Sequence, residues 1–140
     1  MIEAELYDYL TNESAITTLV NTRIYPDAAP QSATLPMIIY TKTSTDREVT
    51  LKRAVGICTA RMQLDVYGAS RTVCENIMEQ IRLRTDGFQG NWGTTYIHIC
   101  KFDSESVGWD LENAKDTGIH RATVDLVVTF SESVTDFFGG

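Results

Sequence analysis

The chain has 140 residues, a hydrophobic fraction of 43% and a charged fraction of 22%, which favour one folded domain over residues 1–140 and argue against a disordered chain. A net charge of -7 argues against a protein that grips nucleic acid, because such affinity comes from Lys and Arg on phosphates. The acidic N-terminal residues and the absence of a long apolar run predict a protein kept in the cytosol, without a signal peptide or a membrane span.

The first segment, residues 1–22, is predicted to be helical. Apolar residues recur there with helical spacing on both sides of a break expected near residues 11–13. Asn12 or Ser14 would cap the second part of the segment. The residues of the apolar stripe are Ile2, Leu6, Tyr9, Leu10, Ile16, Leu19 and Val20.

All three prolines of the chain, Pro26, Pro30 and Pro36, lie within residues 23–36. Proline fixes its own φ angle, lacks an N–H donor and biases the preceding residue towards extended backbone. We therefore predict an extended, poorly paired connector at 23–36. Proline stiffens the connector and so lowers the conformational entropy that the chain loses when the connector becomes ordered. The sequence leaves open whether the connector presents a surface to a neighbour or serves only its own fold.

Four strands are predicted from β-branched and aromatic residues and from the alternation of apolar with polar side chains. They cover residues 35–43, 57–67, 95–102 and 120–130. In the second and fourth strands the alternation is nearly regular, so one face of each is predicted to be buried and the other to contact water.

A further helix is predicted between the second and third strands. Ser70 is a suitable N-cap, and the apolar stripe that follows has helical spacing. The members of this stripe are Val73, Cys74, Ile77, Met78 and Ile81. Together these elements predict an α+β fold of two layers, in which a mainly antiparallel or mixed sheet of about four strands is covered on one side by two helices and carries long projecting loops.

Two of the connections are long and polar. Residues 44–56 are predicted to form a projecting hairpin or a long loop, and residues 103–118 an acidic loop. Lys42, Arg47, Lys52 and Arg53 against two acids give residues 42–53 a net charge of +2, whereas five acids against one lysine give residues 103–118 a net charge of -4. The residues of interest in the acidic segment are Asp103, Glu105, Trp109, Asp110, Glu112 and Asp116.

Opposite charge on two long segments predicts that one copy of the chain is steered onto the next in a head-to-tail contact. Two unrelated solvated loops explain the charges equally well, because ion pairs at a rim add little affinity. The C-terminal tail, residues 131–140, is predicted to be flexible. Its Phe137 and Phe138 either fold back onto the sheet or dock on a neighbour.

Residues with catalytic potential are few. His98 and His120 lie in predicted strands without the spacing of a metal site. Cys58, Cys74 and Cys100 lack CxxC spacing and are predicted to be buried, reduced thiols. No catalytic, metal-binding or cofactor-binding residue is therefore predicted, and the expected protein is not an enzyme.

An ordered set of segments resembles the tail-completion family of long-tailed bacteriophages, which includes tail terminator and tail-to-head joining proteins. These segments are AITTLVNTRIYP, APQSATLPMIIY, RMQLDVYG, SRTVCENIMEQIR and DGFQG, and the resemblance extends over residues 2–130. It implies a small subunit without catalytic residues that forms a ring, expected to hold six copies, at the head-proximal end of the tail tube. There the ring would stop polymerisation of the tube and join the tail to the head.

The implied partners are other copies of the chain, the tail tube protein and the head–tail connector protein, with no membrane. DNA would pass through the ring without specific binding, which an acidic subunit permits. The implied location is the virion, after assembly in the host cytoplasm.

Two alternatives remain at this stage. The first is a small non-enzymatic α+β binding module, monomeric or dimeric, with Tyr67, Trp92 or Trp109 lining its site. The second is an enzyme in which His98 or His120 meets a carboxylate in a cleft.

Overall fold

The computed structural model of the protein describes residues 2–30, 34–49, 54–109 and 119–131. In chain order the elements are α1 (Ile2–Thr11), α2 (Ser14–Val20), β1 (Ile24–Pro26), β2 (Met37–Val49), β3 (Ala54–Gly68), α3 (Arg71–Thr85), β4 (Gly90–Trp92), β5 (Thr95–Trp109) and β6 (His120–Ser131). The strands form one sheet in the order β1-β2-β3-β6-β5-β4. The pair β1 and β2 is parallel, and the other neighbours are antiparallel.

The predicted α+β class and mixed sheet are confirmed, but the numbers of elements were too low. In the described residues the sheet has six strands instead of about four, because β1 and β4 are three-residue edge strands that are too short to show alternation. The same residues form three helices instead of two. The predicted break in the first segment is confirmed, since α1 ends at Thr11 and α2 begins at Ser14.

The connector at 23–36 is better paired than its prolines predicted. Ile24–Pro26 runs parallel to Ile38–Tyr40, and the N–H of Asp27 donates to the carbonyl of Tyr40 at 2.9 Å. The prediction of poor pairing is therefore wrong for the first part of the connector. Pro26 is tolerated because β1 is an edge strand, where a missing N–H breaks no ladder in the sheet interior.

One face of the sheet is covered by the three helices and holds the apolar core. Buried side chains on β3 and β6 alternate as predicted: Ala60, Met62, Leu64, Val66, Ala122, Val124, Leu126, Val128 and Phe130. The helix α3 begins as predicted, because the Oγ atom of Ser70 accepts a hydrogen bond from the N–H of Val73 at 3.2 Å. Gly68 allows α3 to start against the sheet, since a Cβ atom there would lie 3.0 Å from the Sγ atom of Cys74.

The two long polar segments are mostly strand where the structure describes them. For residues 44–56 the hairpin alternative is confirmed in the described part, since Val49 of β2 is in register with Ala54 of β3. For residues 103–118 the predicted loop is wrong as far as Trp109, because β5 continues to that residue and pairs with β6. Pairing with a neighbouring strand overrides the polar composition of this stretch. Residues 110–118 and the tail beyond Ser131 lie outside the described residues.

Candidate interaction surfaces

The predicted basic residues lie along β2 and the connection that follows it. The Nζ atom of Lys42 lies 3.4 Å from the Oε2 atom of Glu3 on α1. Arg47 is in register with Cys58 of β3, and its side chain lies outside the described part. Lys52 and Arg53 also lie outside the described residues, between the paired Val49 and Ala54.

The predicted acidic residues that the structure describes lie on β5. An Oδ2 atom of Asp103 lies 3.3 Å from Nη1 of Arg61, and its Oδ1 atom lies 3.6 Å from Nζ of Lys101. Glu105 is exposed, and Trp109 is in register with His120 at the end of the strand. The remaining predicted interface residues lie outside the described part of the chain: Asp110, Glu112, Asp116, Phe137 and Phe138.

The described parts of the basic and acidic segments, residues 42–49 and 103–109, run towards opposite ends of the sheet. At one end, Arg47, Cys58 and Phe130 are in register on β2, β3 and β6, and the β2–β3 hairpin continues past this row. At the other end, Tyr67, Arg121 and Gly108 are in register on β3, β6 and β5, and the acidic segment continues past that row. From Cys58 to Tyr67 an extended strand rises about 30 Å, so the described parts of the two segments run towards opposite ends of the sheet.

The strands β2 and β5 lie next to the short edge strands β1 and β4, which cover only part of their length. On its outer side, β2 is paired with β1 from Ile38 to Tyr40, and no other described strand pairs there with residues 41–49. On its outer side, β5 is paired with β4 from Thr95 to Ile97, while residues 86–88 hydrogen-bond Cys100 and Phe102.

No described strand pairs on that side with residues 103–109. We call residues 41–49 the β2 open edge and residues 103–109 the β5 open edge. These two segments lie at opposite edges of the sheet and towards opposite ends of its strands.

The face of the sheet opposite the helices, here called the helix-free face, contains a buried carboxylate. Asp65 is only 7% exposed. Its Oδ1 atom accepts hydrogen bonds from Nε and Nη2 of Arg121 at 3.1 and 3.0 Å and from Oγ1 of Thr123 at 2.7 Å. Its Oδ2 atom accepts from Nε2 of Gln63 at 3.0 Å. The guanidinium of Arg121 also lies 5.8 Å above the ring of Tyr67.

The other described charges on this face are also paired. Nη1 of Arg61 lies 3.3 Å from Oδ2 of both Asp103 and Asp125. Across β3, β6 and β5 the described Asp, Glu, Lys and Arg side chains of the helix-free face are Arg61, Lys101, Arg121, Asp65, Asp103 and Asp125. Three positive and three negative charges cancel, so this part of the face is neutral although the chain carries -7.

An open groove of about 440 Å³ lies between α3 and the β5 open edge. It is lined by Glu75, Met78, Glu79, Arg82, Glu105 and Ser106. Glu79 and Arg82 pair with each other, and the hydrogen bond from Arg82 lowers the pKa of Glu79. Three carboxylates against one guanidinium make this groove an acidic surface beside the strand edge.

The cysteines are unsuited to nucleophilic chemistry. Cys58, Cys74 and Cys100 are buried and reduced, as predicted. Burial raises the pKa of Cys100 to about 12, with a smaller contribution from Asp86, and burial also raises the pKa of Cys74. Because thiolates are the reactive form, neither of these two thiols is activated at neutral pH.

His98 contacts a hydroxyl and an aromatic ring, and the described residues hold no metal-ligand group. The Nε2 atom of His98 lies 2.7 Å from Oγ of Ser131, and the His98 ring meets the ring of Tyr96 edge-on. Among residues 2–30, 34–49, 54–109 and 119–131, no group of three or more His, Cys, Asp or Glu residues could hold a metal ion. Within the same residues, no helix is both long and apolar enough to cross a bilayer.

Trp92, one of the three aromatic residues suggested for a small binding site, lies in the core. Trp92 is 1% exposed, and its ring centroid lies 5.2 Å from Tyr9 and 5.9 Å from Phe88. The Tyr9 hydroxyl donates to the carbonyl of Arg84 at 2.6 Å, which ties α1 to the end of α3. The suggestion that Trp92 lines a site is therefore wrong, because its ring belongs to the core.

Sequence reasoning missed the Asp65 cluster and the two open edges. Asp65 and Arg121 are 56 positions apart, so their contact depends on the pairing of β3 with β6. The sequence does show that β3 and β6 each have a polar face, with residues of complementary charge. These charges indicate a contact only if the two strands are already known to be neighbours.

Comparison with known proteins gives a consistent assignment. The family described as tail completion protein gp17 matches residues 4–88, which is more than half of the chain. No curated protein matches. A chain of the solved structure described as the virion of a native gene transfer agent particle is similar in fold. Its TM-score is 0.69 at 13% identity, over 93% of this chain and 94% of that chain. The chain therefore belongs to the bacteriophage tail-completion family, as a structural protein of the tail.

Proposed function

We propose that this protein forms a ring at the head-proximal end of the phage tail tube. In this proposal the ring, expected to hold six copies, ends polymerisation of the tube and joins the tail to the head connector in the virion. It acts by shape and surface complementarity, without making or breaking a covalent bond. Its partners are further copies of itself, the tail tube protein and the head–tail connector protein.

The observation that carries the proposal is the placement of the two open edges. They differ in sequence and lie at opposite edges and opposite ends of the sheet, so a contact between them joins two different surfaces. Contacts of this heterologous kind lead to rings when the rotation between copies closes, and to filaments when it does not. A ring at the end of a tube forms when the rotation between neighbouring copies closes.

The charges favour the same arrangement. Residues 42–53 have a net charge of +2 and residues 103–118 a net charge of -4. Because the described parts of these segments run towards opposite ends of the sheet, we propose that the segments attract each other between copies. Ion pairs at an exposed rim contribute little affinity, so their proposed role is to steer subunits into the correct orientation.

Passage of DNA through the ring is consistent with the helix-free face. We propose that this face lines the channel, with the helices outside, where a larger radius leaves room for them. Its charges on β3, β6 and β5 balance and are paired with one another. A neutral lining without free Lys or Arg offers little affinity for phosphates, so duplex DNA slides past it.

Assembly can be tested with purified protein, alone and mixed with tail tube protein, by analytical ultracentrifugation and electron microscopy. We expect rings on the ends of tubes, and tubes of limited length. A chain that stays monomeric at every concentration and salt, with tubes of unchanged length, would contradict the proposal.

The steering charges can be tested by the double change Lys52→Glu and Arg53→Glu, which reverses the basic segment. We expect at least a tenfold lower rate of ring assembly at low salt and a smaller difference at high salt, because salt screens exposed charges. Arg71→Glu is the control. It changes an exposed charge on α3, paired with Glu75, and should leave the assembly rate within twofold of the parent. Unchanged assembly in the double variant would remove charge steering from the proposal.

A further inference from the structure

We infer that the β2 open edge of one copy pairs, as an antiparallel strand, with the β5 open edge of the next copy. The separate sheets then become one continuous sheet that closes around the ring. This inference rests on the proposed ring and specifies the contact from which it is built. The partner at each open edge is a second copy of this chain.

The strand directions permit this contact without reorienting the subunit. The pairs β2–β3, β3–β6 and β6–β5 are each antiparallel, so β2 and β5 of one copy run in opposite directions. A second copy placed alongside, with its helices on the same side, brings its β2 antiparallel to β5 of the first. Antiparallel pairing is also slightly more stable per residue than parallel pairing.

The pleat limits the register of this pairing. Ser44 is in register with Arg61 of β3, and Ser106 is in register with Thr123 of β6. Both rows belong to the helix-free face, because Arg61 contacts Asp125 there and Thr123 contacts Asp65. Directly opposed residues in a sheet point to the same face.

Ser106 of one copy can therefore oppose Ser44 or Asp46 of the next, but it cannot oppose Thr45. In either permitted register, all of residues 103–109 are opposed by residues of the β2 open edge.

One of the two registers places opposite charges across the contact. With Asp46 opposite Ser106, Arg47 is opposite Glu105, and both belong to rows of the helix-covered face, those of Cys58 and Val124. With Ser44 opposite Ser106, Arg47 is opposite Asp103, but the irregular pairing between Phe102 and Glu105 places Asp103 on the helix-free face, beside Arg61. Directly opposed residues of opposite charge stabilise an antiparallel pair, so the open edges are complementary in direction and in pleat, and in the second register also in charge.

The offset between the two edges agrees with a closed barrel. Ser106 lies in the row of Asp65, whereas Ser44 and Asp46 lie in the rows of Arg61 and Thr59. These rows are four and six residues apart along β3, which corresponds to a stagger of about 13 or 20 Å. Four neighbouring strands are about 19 Å wide.

In a closed ring every copy lies at the same height along the ring axis. A stagger of about 13 or 20 Å over a width of about 19 Å therefore requires the strands to be tilted from that axis by about 35° to 45°. Strands in barrels are tilted by the same amount. Six copies of four strands would make a barrel of about 24 strands, more than the 16–18 strands that already leave an aqueous channel in porins.

Site-directed disulfides test the contact. Ser44→Cys and Ser106→Cys are made in separate full-length chains, which are mixed, assembled with tail tube protein and mildly oxidised. The pair Asp46→Cys with Ser106→Cys tests the second register. The native cysteines are buried and do not compete. We expect one of the two mixtures to give a disulfide-linked pair of chains on a non-reducing gel, because opposed residues bring their Cβ atoms within disulfide range.

The matched control is Thr45→Cys mixed with Ser106→Cys, whose residues belong to opposite faces. We expect at least tenfold less cross-linking from it, and none from any single variant alone. Rings seen by electron microscopy without cross-linking in either permitted register would overturn the inference and leave the proposed function standing. Cross-linking of Ser106→Cys to a cysteine-scanned tube protein instead of to another copy would also overturn it. Absence of rings from the parent protein would overturn the proposed function itself.

Discussion

The two faces of the sheet are built from the same strands but are held together by different interactions. On the helix-covered face, every second residue of β3 and β6 is apolar and buried. On the helix-free face, the residues between them are mostly polar, and threonines, arginines and aspartates among them pair across strands. Burial of apolar area dominates folding free energy, whereas half-exposed ion pairs contribute little. The comparison indicates that one face determines stability and the other is available for contact and for lining a channel.

The largest expected effect compares two adjacent valines on β6. Val128 is fully buried on the helix-covered face, whereas Val127 points to the helix-free face and is half-buried. We expect Val128→Ala to lower the free energy of unfolding by about 2 to 3 kcal/mol, from lost burial and a cavity. Val127→Ala should cost less than about 1 kcal/mol. Urea unfolding followed by the fluorescence of the buried Trp92 measures both, and equal losses would remove the distinction between the faces.

A second effect on the core face depends on pH. The pKa of Cys100 is raised from 9.0 to about 12, mainly by burial. The folded protein therefore keeps this proton at pH values where the unfolded chain has lost it. Its contribution to stability is fully present below pH 9 and is lost as the pH rises from about 9 towards 12.

In that window we expect the free energy of unfolding to fall by up to about 1.4 kcal/mol per pH unit from this group. Tyr9 and Tyr40, whose pKa values are also raised by burial, add to the decline at higher pH. The control is Cys100→Ala, which should be less stable at pH 7 but show a shallower slope between pH 9 and 10. An identical slope in parent and variant would contradict the prediction.

The last comparison concerns two charges of the helix-free face, one buried and one more exposed. Asp65→Ala leaves the donors of Arg121, Thr123 and Gln63 without their shared acceptor, so we expect a loss of about 1 to 3 kcal/mol. Asp125→Ala, which removes a more exposed partner of Arg61, should cost less than about 1 kcal/mol. Chemical unfolding of both variants at one protein concentration tests this ranking. A larger loss for Asp125→Ala would show that the exposed pairs, and not the buried carboxylate, stabilise this face.

Much of the fold could be predicted from local patterns. The break between α1 and α2, the Ser70 cap and the buried face of β6 all follow from the spacing of apolar and capping residues within short windows. The edge strands β1 and β4 could not be predicted, because three residues show no period. The continuation of β5 to Trp109 was also hidden, because its polar residues are held by pairing with β6.

Of the candidate interface, the sequence revealed the opposite charges of residues 42–53 and 103–118 but not their relation in space. Lys42 and Asp103 have partners within their own chain, which charge counts do not show. The open edges could not be predicted from the sequence, because a strand has an open edge only where no neighbouring strand pairs with it.

By itself, the sequence of this protein determined the buried stripes of its helices and of β3 and β6, the approximate positions of its longer helices and strands, and the family to which it belongs. Periodicity is a local property and decides which side chains face the core. The tertiary structure alone decided that Asp65 contacts Arg121, that β2 and β5 run on towards opposite ends of the sheet, and that no described strand pairs with the outer side of residues 41–49 and 103–109. The physical reason is that alternation determines the face on which a residue lies, but not its neighbouring strand or its register. Those are decided by contacts between residues far apart in the chain.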